Sequence, residues 1–187
     1  PECVDNTVEK SKMKCLFDRG GVPTPKWCVA TNWNEAVRFL NDCDVPIVVK
    51  PSRGAAGSMG VSLVRERSQL SDAYGLASET GQDLNVILEQ FHMGREFSID
   101  GIVSRGEAII FSVSEKYNLG PEYNFIIDGF ATGFNEKEKG INISNIAEIA
   151  LEAVKSVSIE NSTFSADVLL TDNGLFVLEI GIPLDAK

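Results

Sequence analysis

Lys50 and Arg53 flank Pro51-Ser52 just ahead of a run, Gly54-Ala55-Ala56-Gly57-Ser58-Met59-Gly60, with almost no side chain to hold a ligand away. Backbone N–H groups in such a run can close around phosphate oxygens while the lysine and arginine supply charge. The order of residues is informative. In a Walker-type loop the lysine follows the glycines and opens a helix, whereas Lys50 ends a β-branched run, Ile47 to Lys50, that precedes them. A second run, Gly60 to Val64, comes after, so the segment reads as a hairpin with a small-residue crown. Taken alone it is equally a glycine-rich hairpin carrying a surface lysine.

Two carboxylates near the end of the chain form the second chemical element. Asp167 and Glu179 sit in apolar runs, Phe164 to Leu170 and Leu175 to Ile180, joined by Thr171-Asp172-Asn173-Gly174. A three-residue loop, Asp172 to Gly174, pairs Thr171 with Leu175 and sets Asp167 opposite Glu179. A two-residue Asn173-Gly174 loop pairs Val168 with Glu179 instead and places the acids on opposite faces; the first register is preferred. Carboxylates about 5 Å apart repel unless a cation stands between them, and their hard oxygens suit Mg²⁺ or Mn²⁺. The competing reading is two exposed acids on a surface strand. Soft metals are disfavoured: Cys3, Cys15, Cys28 and Cys43 make no C-x-x-C pair, and the only histidine is His92.

The whole chain bounds what these elements can serve. A net charge of −10 repels nucleic acid and anionic membrane, so an anionic nucleotide needs a local cationic pocket and a divalent metal. No apolar run approaches the roughly 18 residues of a membrane span. Pro1-Glu2-Cys3 begins no signal peptide, and unpaired thiols fit a reducing, cytoplasmic setting.

Positioning falls to an alternation of helices and strands. Met13, Leu16 and Phe17 predict a helix over Lys10 to Arg19, stopped by Gly20-Gly21. A strand follows at Trp27 to Ala30. Thr31 or Asn32 caps the next helix, with Ala36, Val37 and Leu40 as its stripe. After the hairpin come a helix over Gln69 to Ala77, with Ser68 or Ser71 near its start, and a strand over Asp83 to Glu89. Arg95 to Val103 and Glu107 to Lys116 predict a second hairpin. Tyr117 to Phe134 carries no assignment, and Ser144 is expected to cap a helix over Asn145 to Val157. The pattern predicts an α+β protein with lobes at residues 1–90 and 91–187 that cross over at Glu89 to Gly94.

These segments in this order resemble the ATP-grasp family, the nucleotide-binding unit of carboxylate ligases. Glu9-Lys10-Ser11-Lys12-Met13 with Gly21-Val22-Pro23-Thr24-Pro25 resembles the family's first helix and turn, and Val49-Lys50-Pro51 followed by Gly57 to Val61 its phosphate loop. Ile87 to Phe91, then Gly94 to Ser98, resembles the adenine hinge and the strand after it; Asp167 with Gly174 to Glu179 resembles the metal hairpin. The resemblance implies two α+β lobes with largely antiparallel sheets clasping ATP. It assigns Lys10 and Lys50 to phosphate, with Lys50 and Arg53 in catalytic roles. Ser52, Gly54, Gly57, Ser58 and Gly60 belong to the covering loop. Glu89 accepts from the adenine amino group, with the backbone of Gln90 and Phe91 imitating a base-pair edge, His92 alongside and Glu96 on ribose. Asp167 and Glu179 hold Mg²⁺ or Mn²⁺. The implied reaction joins a small-molecule carboxylate to an amine through an acyl phosphate, releasing ADP and phosphate. The implied setting is a longer ligase with further domains, or a homo-oligomer. The chain departs from the family where Gly181 and Pro183 replace a ligating Asn and a substrate-contacting Arg. A non-catalytic ATP-binding module is therefore the alternative.

Overall fold

A computed structural model of the chain describes residues 2–54, 58–120, 126–133 and 141–182. Its strands form two antiparallel sheets, each with helices on one side, so the protein is α+β.

The first sheet comprises β1 (Trp27–Ala30), β2 (Ile47–Pro51), β3 (Ser62–Val64) and β4 (Val86–Gln90) in the order β1-β4-β2-β3. Helices α3 (Trp33–Cys43) and α4 (Leu70–Thr80) cover it. Ala36, Phe39 and Leu40 of α3 and Leu70, Ala73 and Ala77 of α4 pack on Ile47, Val49, Val86 and Leu88. Asn32, the second of the two candidate caps, accepts a hydrogen bond from the Glu35 N–H at 3.2 Å and stops α3 from fraying. Neither expected serine caps α4. A 3₁₀ turn, Arg67–Gln69, precedes that helix, and Gln69 Oε1 accepts from the Glu66 N–H at 3.0 Å. Strand β4 also starts later than expected, leaving Leu84 73 % exposed, because the Asp83 carboxylate turns the chain by accepting from the Asn85 N–H.

The second sheet comprises β5 (Arg95–Ser104), β6 (Glu107–Asn118), β7 (Ile127–Ala131), β8 (Ser162–Thr171) and β9 (Gly174–Gly181), ordered β7-β6-β5-β8-β9. Strand β7 lies in the stretch that the sequence left unassigned. Helix α5 (Ile143–Ser156) buries Ile146, Ala150, Ala153 and Val154 against Phe97, Ile99, Val168 and Ile180. Its cap is Asn142, which accepts from the Asn145 N–H at 3.1 Å; the helix begins before Ser144, which therefore cannot cap it.

Two helices open the chain, α1 (Glu2–Val8), which the sequence did not reveal, and α2 (Lys10–Gly20). Met13 and Phe17 of α2 are fully buried in the core of the second sheet, not the first. The division at residue 90 therefore separates the sheets, while α2 crosses it in space. Among the described residues, no helix is long and apolar enough to span a membrane.

Candidate functional site

Strand alternation creates the site's first wall. In the β2–β4 pair, Val48 faces Glu89 and Lys50 faces Ile87, so these four side chains share one face. Their neighbours Ile47, Val49, Val86 and Leu88 go to the core beneath α3 and α4. The charged face meets the second sheet across a cleft of about 300 Å³.

Glu89 is the hub of that wall. Its side chain is 5 % exposed, with Lys50 Nζ 2.9 Å from Oε2 and Lys14 Nζ 3.0 Å from Oε1. Burial would raise the Glu89 carboxyl, but the two ammonium groups more than offset it and hold the acid down at about 2. Burial acts on Lys50 in the opposite sense and is again overcome: Glu89, then Glu179, raise it. Lys14 has no exposed surface, and for it desolvation wins, lowering the ammonium to about 8 despite Glu89. Its Nζ also donates to Thr24 Oγ1 at 2.5 Å, and the Thr24 hydroxyl donates to the Val177 carbonyl at 2.8 Å. A charged chain thus runs from β2 and β4 through α2 to β9.

The opposite wall is acidic. Asp167 of β8 stands across from Glu179 of β9, the expected juxtaposition reached by a different route. The loop has two residues, Asp172 and Asn173, with Thr171 paired to Gly174. That register alone would put Leu178 opposite Asp167, but a bulge between Asp167 and Val168 advances β9 by one residue. A second bulge, at Asp100/Gly101, acts likewise between β5 and β6: it pairs Glu96 with Lys116, where the turn register alone leads to Glu115. Lys116 Nζ then lies 2.6 Å from Asp167 Oδ2 and 2.8 Å from Glu96 Oε1. Burial pushes the Asp167 carboxyl up to about 6 against the pull of Lys116, although 26 % of its side chain still meets the cleft. Lys10, at the start of α2, reaches Glu179 at 3.8 Å, and its N–H donates to the Ser52 carbonyl at 2.9 Å.

The other expected site residues divide into two groups. Lys10, Lys50, Ser58, Glu89, Gln90, Phe91, His92, Glu96, Asp167 and Glu179 line the cleft. Arg53 does not: it forms a β-bridge with Glu9 and points its guanidinium at Asp5 and Glu9, 3.8 and 4.0 Å away, outside the cleft. Ser52 is fully buried behind the wall, its backbone N–H donating to the Asn85 carbonyl. Gly54, at φ 85°, lies against the Gln82 side chain, and Gly60, at φ 71°, against Pro51 and Thr80; neither lines the cleft. Gly57 lies outside the described residues. The hinge also departs from expectation, because the Gln90 N–H donates to the Lys26 carbonyl and the Phe91 N–H to the Pro46 carbonyl. Those two amides cannot serve a base edge, and among the described residues the next N–H, that of His92, meets no backbone carbonyl. The His92 ring stacks on Phe176, centroids 4.6 Å apart.

Lys14 and Lys116 escaped the sequence reading. Lys14 left one trace, a lysine four residues after Lys10 inside the apolar stripe of Met13 and Phe17. Lys116 left none, since its face is decided by a bulge.

Lysines and an acid hub on one wall thus face an acidic ribbon on the other across a single cleft. The family model described as an ATP-grasp domain matches residues 8–181, and the chain belongs to the ATP-grasp family. It is 32 % identical over 116 residues to the arginine-specific carbamoyl phosphate synthase large chain of Schizosaccharomyces pombe, a match covering 62 % of this chain and 10 % of that protein. It is 28 % identical over 179 residues to the D-alanine–D-alanine ligase of Methylacidiphilum infernorum, covering 94 % of this chain and 55 % of the relative. Among solved structures, a biotin carboxylase ATP complex from Campylobacter jejuni superposes with a TM-score of 0.81 at 19 % identity, over 100 % of this chain and 42 % of the other. The chain thus spans about half or less of the proteins it matches.

Proposed function

We propose that this chain is the nucleotide-binding and catalytic unit of an ATP-dependent carboxylate–amine ligase. The observation that carries the reading is the Lys14–Glu89–Lys50 cluster facing the Asp167–Glu179 pair across one cleft. Glu89 lines the cleft beside Gln90, Phe91 and His92, which places its carboxylate on the wall that an adenine amino group would meet. The His92 N–H replaces Gln90 and Phe91 as the hinge donor. Lys10, Lys50 and Lys116 supply phosphate contacts, with Ser58 at the cleft edge and Glu96 placed for ribose hydroxyls.

The donor set at the acidic ribbon fits a hard divalent cation. Asp167 and Glu179 offer opposed carboxylate oxygens, and the desolvation of Asp167 favours a cation beside it. Among the described residues no group of three metal-ligating side chains occurs, so phosphate oxygens and water would complete the shell. Such a cation, Mg²⁺ or Mn²⁺, supplies charge neutralisation on the transferred phosphoryl group. The lysines hold the triphosphate in line with an incoming substrate carboxylate, whose attack on the γ-phosphate gives an acyl phosphate and ADP. An amine then attacks the acyl carbon and expels phosphate. Charge stabilisation and alignment carry both steps, and no side-chain nucleophile is needed.

Calorimetry with Mg-ATP, Mg-ADP and Mg-GTP tests the binding: saturable ATP binding lost in Lys50→Ala is expected, and absence of any nucleotide binding sinks the proposal. Gly181 favours a second reading, an ATP-binding module without catalysis, because β9 ends there without a third ligating side chain. ADP formation with a panel of carboxylates separates the two. No turnover by a polypeptide that binds Mg-ATP selects the second.

A further inference from the structure

Lys14 has no exposed surface, yet it carries a charge beside Met13 and Phe17, which are themselves fully buried. An apolar side chain of similar length would usually serve stability as well or better, since replacing buried ion pairs by well-packed apolar residues is often neutral or favourable. Its contacts point to another role. Nζ stands 3.0 Å from Glu89 Oε1 and donates to Thr24 Oγ1, which is itself anchored on the Val177 carbonyl. Lys14 is thereby held by two partners, one of them anchored in turn, and cannot follow a ligand. Lys50 differs: it is 10 % exposed, lines the cleft and is placed to turn toward phosphate.

When Lys50 is shared with a phosphate, Glu89 keeps one counter-ion that cannot be drawn away. We infer that Lys14 is a positioning residue that holds Glu89 ionised and aimed at the base edge, so that the site selects adenine over guanine. The inference rests on the nucleotide-binding reading of the cleft. Adenine offers an amino donor where guanine presents the O6 carbonyl, so a fixed carboxylate there accepts from the first and repels the second. A polar site built to receive a donor discriminates strongly against an analogue that lacks it. A Glu89 free to swing or to take a proton no longer repels O6. Lys14 reaches the base only through Glu89.

The test is the ratio of Mg-GTP to Mg-ATP dissociation constants, measured by calorimetry on the whole chain for wild type, Lys14→Met and Thr24→Val. Wild type should prefer ATP by about tenfold or more. Lys14→Met should reduce that preference about fivefold or more, with ATP weakened and GTP unchanged or improved. Thr24→Val, which removes the seat of the ammonium while keeping its charge, should shift the ratio in the same direction by less. It also preserves the test should Lys14→Met fail to fold. Equal weakening of ATP and GTP in both variants marks a purely structural lysine and overturns the inference, as does an unchanged ratio. Wild-type protein that binds neither nucleotide fails the underlying proposal instead.

Discussion

Lys116 pairs with Asp167, one of the two carboxylates of the proposed metal seat, and its removal tests that proposal directly. Its Nζ sits 2.6 Å from Asp167 and 2.8 Å from Glu96, and the side chain is only 11 % exposed. Replacing it with methionine retains the stem's packing but leaves Glu96 and Asp167 without their shared cation. Breaking a buried ion pair by deleting one partner costs about 3–5 kcal/mol. Here the carboxylates still meet the cleft, and water reduces the figure to roughly 2 kcal/mol. For a domain of this size that lowers the melting temperature by roughly 4–8 °C. The same substitution should improve metal binding without nucleotide, because an incoming Mn²⁺ no longer competes with an ammonium. A gain of about 1.4 kcal/mol is a tenfold tighter Kd. Calorimetry or paramagnetic resonance with Mn²⁺ alone reads the affinity, and scanning calorimetry with and without the ion reads the stability. Equal Mn²⁺ affinity in wild type and Lys116→Met, or weaker affinity in the variant, refutes the reasoning and places the metal seat elsewhere.

The remaining predictions concern residues whose positions the structure changed or revealed. Arg53→Ala should leave nucleotide affinity within about twofold, because its guanidinium faces Asp5 and Glu9 at the surface; a loss of tenfold or more by calorimetry would return Arg53 to the site. Asn142→Ala should cost about 1 kcal/mol of stability through loss of the α5 cap, while Ser144→Ala costs less than half of that in urea titrations; the reverse order would restore the cap to Ser144. Glu89 is held at about 2, below its ordinary 4.5, so its stabilisation is complete above pH 4.5 and disappears as pH falls toward 2. The stability advantage of wild type over Glu89→Gln, followed in urea, should fade across that interval, and an advantage that persists at pH 2 contradicts the assignment. Lys14 has the opposite sense. Its proton is lost near pH 8 in the folded chain but near 10.5 when unfolded, so its cost is present below pH 8 and is relieved as pH rises to 10.5. Lys14→Met should remove that rise, and a wild-type curve that falls between pH 8 and 10.5 relative to the variant would overturn it.

How far the sequence reached depends on which physical signal each residue left. Most strands and helices were legible because short-range patterns determine them: the apolar run of Val86 to Leu88, the 3.6-residue stripe of Met13 and Phe17, the stop at Gly20-Gly21. Register was not. Loop length sets it at the turn, yet in the β5–β6 and β8–β9 hairpins a bulge several residues away resets it by one position. The expected opposition of Asp167 and Glu179 therefore came from a loop of the wrong length, and Lys116 was assigned no role at all. Neither bulge has a distinctive sequence marker, although Gly101 lies beside one. Arg53 and Ser52 misled for a different reason. Next to a glycine-rich loop an arginine reads as a phosphate ligand, whereas α1, invisible to periodicity, supplies Asp5 as a nearer partner.

The cleft's charges constrain how any nucleotide can enter. Glu89 is matched by Lys14 and Lys50, Glu96 and Asp167 by Lys116, and Glu179 by Lys10, so four lysines and four acids neutralise one another. In a chain of net charge −10, a bare triphosphate meets a repulsive outer field and, among the described residues, no surplus of cleft cations. Its oxygens gain lysine contacts only as those lysines leave their carboxylates, and the vacated acids then lack a counter-charge. A divalent ion at the proposed seat would relieve them and so couple its binding to that of the nucleotide, and linkage would make the coupling equal in both directions. Lys14 alone stands outside this exchange, because Thr24 and the Val177 carbonyl hold it where no ligand reaches. On the role inferred for Lys14, one fixed cation would keep Glu89 charged while the other lysines turned toward phosphate.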